Sequence, residues 1–300
     1  MDKVIDILTS YKTPKKVVAI GNEAVARGAL EAGVNGVFSY PGTPSTEISE
    51  IFNLVNNFQN DSSNQDTYSD LVKNKVYFEY SINEKIALEK AIAFSIGGKS
   101  AMCVMKNVGM NVASDALMSI TYQTIIAPVV IVICDDPGCH SSSNEQDSRH
   151  WGMMASVPVF NPKTPKDAYN MTNEAFKLSS ELKLPVIVRT TTRVSHSRGV
   201  VYYKDINVND SEPSFKRMPE HINIPAKTAA AHKTLLDKLF SEKVDSYFET
   251  FNKLYFEGDK KNLAIISSGV STSYLFEIIE RNCLSDRLEL FDLGLIHPFP

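Results

Sequence analysis

Short apolar runs alternate with helix-like stretches over residues 17–191 of the chain. The runs are rich in valine and isoleucine, which is typical of strands that are buried on both faces of a sheet. The stretches between them have the length and the spacing of apolar residues expected of helices. Because strand and helix follow each other repeatedly, the pattern predicts an α/β fold built on a doubly wound parallel sheet.

Residues 76–96 are the most informative part of this pattern. An apolar strand leads into Ser81 and Glu84, and a strongly apolar helix then runs to Gly97 and Gly98. Parallel sheets bind ligands outside the carboxyl ends of their strands, and Glu84 lies at such an end. The same residues also fit a capping box, in which Ser81 is the N-cap and the Glu84 side chain reaches back to its amide. A solvent-facing cap usually precedes an amphipathic helix, whereas this helix is apolar on nearly all sides, so the pattern favours a functional carboxylate.

The pattern changes after residue 198. A polar, proline-containing segment and a charged helical stretch follow, and a strand, a helix and a second strand come last. We predict a first domain over residues 1–198, a helical and irregular connection over 199–261, and the incomplete start of a second α/β domain over 262–300. Two strands and one helix are too few to bury a core. We therefore expect either that the chain is the N-terminal part of a longer protein or that another polypeptide covers this unit.

The composition narrows the possible functions. The chain has 300 residues, 43% of them hydrophobic and 22% charged, with a formal net charge of -4, which describes a soluble globular protein. The lack of a long basic segment argues against a nucleic-acid partner, and no apolar run reaches the length of a membrane span. No signal-peptide core is present, so we expect a cytoplasmic protein. The four cysteines are scattered, which predicts neither a metal site nor an iron–sulfur cluster in this chain.

Four sequence motifs follow one another between residues 40 and 196. They are Tyr40-Pro41-Gly42-Thr43-Pro44-Ser45-Thr46-Glu47, Ser81-Ile82-Asn83-Glu84-Lys85, Asp135-Asp136-Pro137-Gly138-Cys139-His140-Ser141-Ser142 with Asn144-Glu145-Gln146-Asp147-Ser148-Arg149, and Arg189-Thr190-Thr191-Thr192-Arg193-Val194-Ser195-His196. With these motifs the chain resembles the thiamine-diphosphate-dependent 2-oxoacid:ferredoxin oxidoreductases, and within that family the alpha subunits that act on indolepyruvate. The likeness covers residues 19–196 and resumes weakly over 263–300.

The resemblance implies a sheet of the pyrimidine-binding type and a defined reaction. That reaction is oxidative decarboxylation of aryl pyruvates such as indolepyruvate to aryl-acetyl-coenzyme A, with the electrons passed to ferredoxin. The chain lacks the Gly-Asp-Gly element that holds the diphosphate and magnesium in such enzymes, so it is expected to supply only the aminopyrimidine half of the thiamine diphosphate site. Magnesium and 4Fe–4S clusters are expected in a beta subunit or in C-terminal domains, and the assembly is expected to be a dimer or a hetero-oligomer.

The resemblance also implies roles for individual residues. Glu84 is expected to hydrogen-bond the ring nitrogen N1′ of the aminopyrimidine, which shifts the ring to the tautomer that removes the cofactor's own proton. Thr43 is expected to meet the 2-oxoacid, and Pro41 the cofactor. Gly42 stands where pyruvate-oxidising relatives carry isoleucine, which suggests room for an aromatic substrate. From the residues alone, Thr43 also fits a helix N-cap with Pro44 as the first helical residue.

Three further residues complete the predicted site. Gly109 and Asn111 lie between a strand and a helix and are expected to let the backbone approach the cofactor ring, and a plain turn is the alternative for both. Arg149 is expected to pair with the substrate carboxylate through two parallel hydrogen bonds. A solvated surface ion is the alternative for Arg149.

Two other functions are compatible with the same residues. The first is the alpha subunit of a non-oxidative thiamine-diphosphate-dependent 2-oxoacid decarboxylase, although such chains typically lack the segment found here after residue 199. The second is a non-catalytic α/β assembly module, against which the intact Thr43 and Glu84 argue.

Overall fold

A seven-stranded sheet forms the centre of the fold in the computed structural model, which describes residues 2–67, 75–209, 212–257 and 262–299. All neighbouring strands are parallel except the first pair, which is antiparallel. In spatial order the strands are Leu295–His297 (β12), Val159–Phe160 (β6), Val186–Thr191 (β7), Val129–Asp135 (β5), Ala101–Lys106 (β4), Gly36–Ser39 (β2) and Tyr77–Tyr80 (β3).

Helices cover both faces of this sheet. Alternate residues of β4 show the division, because Met102 and Val104 pack into one apolar cluster and Cys103 and Met105 into the other. The predicted doubly wound α/β fold is therefore confirmed. The first cluster includes α2 (Gly21–Glu31), α3 (Thr46–Asn60) and α8 (Pro165–Leu182), and the second includes α5 (Glu84–Ile96) and α6 (Asn107–Ile120).

Further helices lie at the edges and in the connections. Among the described residues, no helix is long and apolar enough to cross a membrane. These further elements are α1 (Asp2–Leu8), α4 (Ser62–Thr67), α7 (His150–Ala155), α9 (Thr192–His196), a 3-10 turn at Pro219–His221, α10 (Pro225–Leu239), α11 (Glu242–Phe251) and α12 (Val270–Arg281).

Helices occupy parts of three polar segments between the strands. The segment 57–74 contains the end of α3 and all of α4, and residues 68–74 lie outside the described residues. Helix α6 begins at Asn107, directly after β4. After β5 the chain is irregular until α7 begins at His150. Polar residues that favour loops in the sequence are thus accommodated in helices here.

The second unit is larger than predicted. Strands β10 (Leu263–Ser268) and β11 (Leu288–Leu293) are parallel, and β9 (Asn252–Tyr255) pairs antiparallel with β11. The expectation of a helical connection was therefore wrong for β9, which belongs to this sheet. It was also wrong for β8 (Arg198–Tyr203), which pairs with β1 (Lys15–Ile20) in a separate ribbon.

The second unit is fixed to the first through the main sheet. Strand β12 follows β11 directly and joins the edge of the main sheet beside β6. The buried Asn252 supports this crossing, because its side chain accepts hydrogen bonds from the amides of Gly294 and Leu295 and donates one to the Leu295 carbonyl. The division of the chain at residues 198 and 261 stays a prediction, and residues 258–261 lie outside the described residues.

Candidate cofactor and substrate site

The predicted site residues gather at the carboxyl ends of β2, β3, β4 and β5. These strands are neighbours in the sheet, so the loops that follow them meet at one edge. Thr43 follows β2, Glu84 follows β3, Gly109 follows β4 and Arg149 follows β5. Within the described residues, no group of three or more His, Cys, Asp or Glu side chains is arranged to hold a metal ion.

Glu84 is the first residue of α5 and is only 8% exposed. The N-cap is Asn83, whose Oδ1 accepts a hydrogen bond from the Ile86 amide at 2.9 Å. The predicted capping box is therefore wrong, and the hydroxyl of Ser81 is buried without a hydrogen-bond partner among the described residues. Because Asn83 serves as the cap, the Glu84 carboxylate is not needed for it. The described residues give the Glu84 carboxylate no hydrogen bond and no ion pair, and its oxygens are not among the fully buried atoms that lack a partner. The side chain is thus largely buried while its carboxylate stays accessible to a ligand.

Gly109 lies directly against the Glu84 carboxylate. A Cβ atom at position 109 would be 2.5 Å from Glu84 Oε1 and 2.8 Å from its Cδ. No side chain can occupy that space while the carboxylate stays where it is. Glycine at the start of α6 thus lets the carboxylate lie against the helix backbone.

Asn107 is a site residue that the sequence did not reveal. It is the first residue of α6 and is completely buried, yet neither Oδ1 nor Nδ2 has a hydrogen-bond partner among the described residues. An unpaired buried amide costs free energy, so such groups usually have a ligand, a water or another chain as partner. Asn111 lies one turn further along α6 and is exposed. The turn alternative is wrong for Asn111 and for Gly109, since both lie within α6, and the contact of Asn111 with a cofactor stays a prediction.

The loop 40–45 is held by its own hydrogen bonds. Ser45 donates to the Gly42 carbonyl from its amide at 2.8 Å and from its hydroxyl at 2.7 Å. Asn22 donates to the Pro44 carbonyl at 2.7 Å. Thr43 and Pro41 are exposed at the edge of the sheet. The N-cap alternative for Thr43 is wrong, because α3 begins at Thr46 and Ser45 occupies the cap position.

Lys106 fills the space beside Gly42. A Cβ atom at position 42 would lie 2.7 Å from Lys106 Cδ and 3.1 Å from its Cγ. The lysine stem lies where the sequence suggested room for an aromatic substrate, and the contact of Gly42 with such a substrate stays a prediction. Lys106 Nζ donates to the Ser141 carbonyl at 3.1 Å, and the Ser141 hydroxyl donates to the Thr43 carbonyl at 3.3 Å.

Asp136 organises the loop that follows β5. Its carboxylate accepts the Ser141 amide at 2.7 Å and the hydroxyls of Ser142 and Thr192 at 2.9 and 3.0 Å. Burial raises the pKa of Asp136, but these hydrogen bonds favour the charged form more strongly and lower the pKa to about 2. The loop is thereby held against Thr43 through Ser141.

A buried ion pair lies beneath the same loop. Arg189 Nε donates to Asp135 Oδ2 at 2.7 Å, and the Ser148 amide donates to the same oxygen at 3.0 Å. Arg189 Nη1 donates to Asn161 Oδ1 at 3.1 Å, and Asn161 Nδ2 donates to the Ser268 hydroxyl at 2.7 Å. The chain of contacts connects the site loop with the second unit.

Arg149 is exposed and already engaged. Its Nε lies 2.8 and 2.9 Å from the two carboxylate oxygens of Asp147, two residues earlier. Burial raises the pKa of Asp147, and the hydrogen bonds from Arg149 then lower it to about 2. This pairing agrees with the surface-ion alternative, and the predicted contact of Arg149 with a substrate carboxylate stays a prediction.

A carboxylate without a partner in the described residues, set against a glycine at a helix start on the carboxyl edge of a doubly wound sheet, is typical of ligand-binding α/β domains. The chain belongs to the family described as pyruvate flavodoxin/ferredoxin oxidoreductase, thiamine diphosphate-binding, which matches residues 27–254. It is 37% identical over 296 residues to the indolepyruvate oxidoreductase subunit IorA of Methanothermobacter thermautotrophicus, covering 98% of this chain and 45% of that protein. It is 39% identical over 293 residues to the same subunit of Archaeoglobus fulgidus, covering 95% of this chain and 44% of that protein.

A solved structure supports the fold. The 2-oxoglutarate:ferredoxin oxidoreductase from Magnetococcus marinus superimposes with a TM-score of 0.74 at 16% identity, covering 96% of this chain and 55% of that chain. At this identity the likeness concerns the fold alone. The chain spans less than half the length of the two indolepyruvate oxidoreductase subunits, 45% and 44%.

Proposed function

We propose that this chain supplies the aminopyrimidine half of a thiamine diphosphate site in an enzyme that oxidatively decarboxylates aryl pyruvates, indolepyruvate in particular. The observation that carries the proposal is the buried Glu84 carboxylate, which lies against Gly109 and has no partner among the described residues. The likeness to the indolepyruvate oxidoreductase subunits supports the choice of substrate.

The residues present fit an aminopyrimidine ring. Glu84 holds a proton at the ring nitrogen N1′, where a carboxylate in a poorly solvated place forms a strong hydrogen bond. Asn107 offers an amide without a partner, and Gly109 removes the side chain that would separate the ring from the helix backbone. Pro41 and Asn111 are proposed as further cofactor contacts. When bound, thiamine diphosphate supplies the carbon nucleophile that attacks the 2-oxo group and accepts the electron pair released with carbon dioxide.

Thr43 is proposed to contact the substrate. Thr43 is exposed at the same edge as Glu84, and its loop is fixed by Ser45 and Asn22. A hydroxyl on a fixed loop can orient the 2-oxo group, because catalysis depends on holding the reacting atoms in the right geometry. Gly42, beside Thr43, stays a proposed substrate contact, with Lys106 as its neighbour.

The remaining functions are proposed for other polypeptide segments. The diphosphate and magnesium, the 4Fe–4S clusters that carry electrons to ferredoxin, and the coenzyme A site are assigned to the beta subunit or to further domains. Apolar side chains around the site support such a neighbour, because a large exposed apolar patch usually marks an interaction surface. Tyr40 and Tyr80 are 39% and 42% exposed, Val112 is 47% exposed and Ile82 is 81% exposed.

The test is anaerobic reduction of a viologen dye by the assembled complex with thiamine diphosphate, magnesium, coenzyme A and indolepyruvate. We expect Glu84→Gln to lower the rate at least 100-fold, because the amide cannot hold the proton at N1′ in the same way. Glu89→Gln is the matched control, since Glu89 is an exposed glutamate on the same helix. We expect it to leave the rate unchanged.

Three measurements separate the outcomes. Thermal unfolding of Glu84→Gln should match the parent, which excludes a folding defect as the cause of a lost rate. Dye reduction by Glu84→Gln at the parent rate would show that the assigned role is wrong. Carbon dioxide and aldehyde formation without dye reduction by the parent would favour the non-oxidative decarboxylase instead.

A further inference from the structure

We propose that the Lys106 ammonium group, rather than Arg149, binds the carboxylate of the 2-oxoacid substrate. The inference rests on the proposed function, because it identifies the group that recognises the substrate class. It concerns a residue that the motifs did not single out.

Lys106 occupies a central position in the site. It is the last residue of β4, and β2 runs beside that strand with Ser39 paired to Val104. The lysine stem therefore lies across the loop that leaves β2 and contacts Gly42. The next residue is Asn107, whose side-chain amide has no partner among the described residues. Gly109, which lies against the Glu84 carboxylate, follows within one helical turn. Thr43, Lys106 and Glu84 thus face the same edge from three neighbouring strands.

The charge of Lys106 is not compensated. Its ammonium group has three donors, and the only hydrogen bond that it makes among the described residues goes to the neutral Ser141 carbonyl at 3.1 Å. No carboxylate in the described part of the chain lies within ion-pair distance of it.

Three other cations near these strand ends differ in that respect. Arg189 is bonded to Asp135, Arg149 to Asp147 and Lys85 to Asp115. Arg149 would have to share its guanidinium between Asp147 and a substrate, whereas the ammonium group of Lys106 holds one hydrogen bond to a neutral carbonyl. Lys106 therefore has donors ready for a substrate carboxylate beside Thr43.

An ion pair between Lys106 and the substrate carboxylate would orient the 2-oxoacid. A 2-oxoacid carries its carboxylate on the carbon that Thr43 and the cofactor must orient. A single ammonium group fixes that end of the substrate as a point charge, without demanding the planar geometry of a guanidinium. The remaining part of the substrate is then free to differ in size.

Binding of an unreactive ligand pair tests this inference directly. The first ligand, indole-3-lactate, carries the carboxylate and the indole of indolepyruvate. The second, indole-3-lactamide, has a neutral carboxamide in place of the carboxylate and nearly the same shape. Both are titrated by calorimetry into the assembled complex with thiamine diphosphate and magnesium. We expect Lys106→Met to weaken indole-3-lactate roughly 10- to 100-fold, as for the loss of a hydrogen bond to a charged group, and to leave the amide within about twofold.

Two further variants complete the design. Lys106→Gln keeps a donor for the Ser141 carbonyl and removes only the charge, so it should behave like Lys106→Met if the charge is what matters. Arg149→Met is the matched control and should bind both ligands like the parent.

Each remaining outcome contradicts the inference in a different way. Equal weakening of both ligands would assign Lys106 a structural role, and a weaker affinity for thiamine diphosphate would make it a cofactor contact. If Lys106→Met binds indole-3-lactate as tightly as the parent does, the role of Lys106 is wrong and the proposed function is unaffected. A parent complex that binds neither ligand overturns the proposed substrate class and this inference with it. Glu84→Gln should still distinguish the two ligands, which separates carboxylate binding from turnover.

Discussion

Gly109 and Glu84 are in such close contact that one added carbon atom at position 109 would reach to 2.5 Å from the carboxylate. The two residues lie on α5 and α6, which pack side by side on one face of the main sheet. No space for a side chain remains between them. The position of the acid therefore depends on the absence of a side chain on its neighbour.

Gly109→Ala should reduce turnover about 100-fold, because displacing a catalytic group by about 1 Å has an effect of that order. Stability should change little, since alanine favours the helix while the clash opposes it. Steady-state dye reduction and thermal unfolding measure the two effects. Gly97→Ala at the end of α5 is the control, because its nearest contact would be 3.3 Å away, and a similar loss of turnover there would contradict the proposed contact.

The start of α5 offers a second test. Asn83→Ala removes the side chain that accepts the Ile86 amide and should lower the free energy of unfolding by about 1 kcal/mol. Ser81→Ala removes a buried hydroxyl without a partner in the described structure and should leave it unchanged or slightly higher. Urea unfolding of both variants gives the comparison. A larger loss for Ser81→Ala would restore the capping box that the sequence suggested.

The hydrogen bonds to Asp136 predict a dependence on pH. Its pKa lies near 2 rather than the ordinary 3.8, so its contribution to stability is complete above about pH 4 and is lost as the pH falls toward 2. Asp136→Asn should lower the free energy of unfolding by about 1–3 kcal/mol at pH 7, and the difference from the parent should shrink as the pH falls below 4.

Urea unfolding between pH 7 and pH 2.5 measures that difference. Asp147→Asn is a suitable comparison, because Asp147 is paired with an exposed arginine and solvent weakens such pairs. Its effect at pH 7 should be smaller. A constant difference between Asp136→Asn and the parent over the whole range would exclude the assigned hydrogen bonds.

The ion pair of Asp135 and Arg189 should be the most sensitive contact in the loop region. Arg189→Met leaves the buried Asp135 carboxylate without its cation and should destabilise the protein by about 3–5 kcal/mol. Adding Asp135→Asn should recover part of that loss, since the two residues act as one unit. Arg149→Met breaks an exposed pair and should cost at most about 1 kcal/mol. Simple additivity of the Asp135 and Arg189 variants in chemical denaturation would contradict direct coupling.

The sequence predicted the sheet well because burial on both faces leaves a clear signal. The apolar runs at β4, β5 and β7 can be read without knowledge of their neighbours, and their alternation with helices determines the fold class. Helix starts were less predictable, because Ser81, Asn83 and Thr43 are all acceptable caps and the choice between them depends on tertiary contacts. The predicted position of Glu84 in the interior rested on the apolar helix that follows it, and the structure confirms its burial.

The sequence could not predict which side chains of the site contact each other. Nothing in the sequence predicts that Asp147 binds Arg149 or that the stem of Lys106 lies beside Gly42. Lys106 and Asn107 carry no motif of their own. They become candidates only when hydrogen bonding is examined in three dimensions, because a missing partner is a property of the folded chain.

The crossing of β12 into the main sheet has a practical consequence for shorter versions of the protein. Cutting the chain after residue 198 would bare the two-residue strand β6 along one side and expose the apolar surface around Phe160, which packs against Phe251. An exposed edge strand of this kind favours pairing with a strand of another molecule. Crystallisation or binding work on the first domain should therefore keep the chain through residue 297, or replace β12 with a strand that closes the same edge of the sheet.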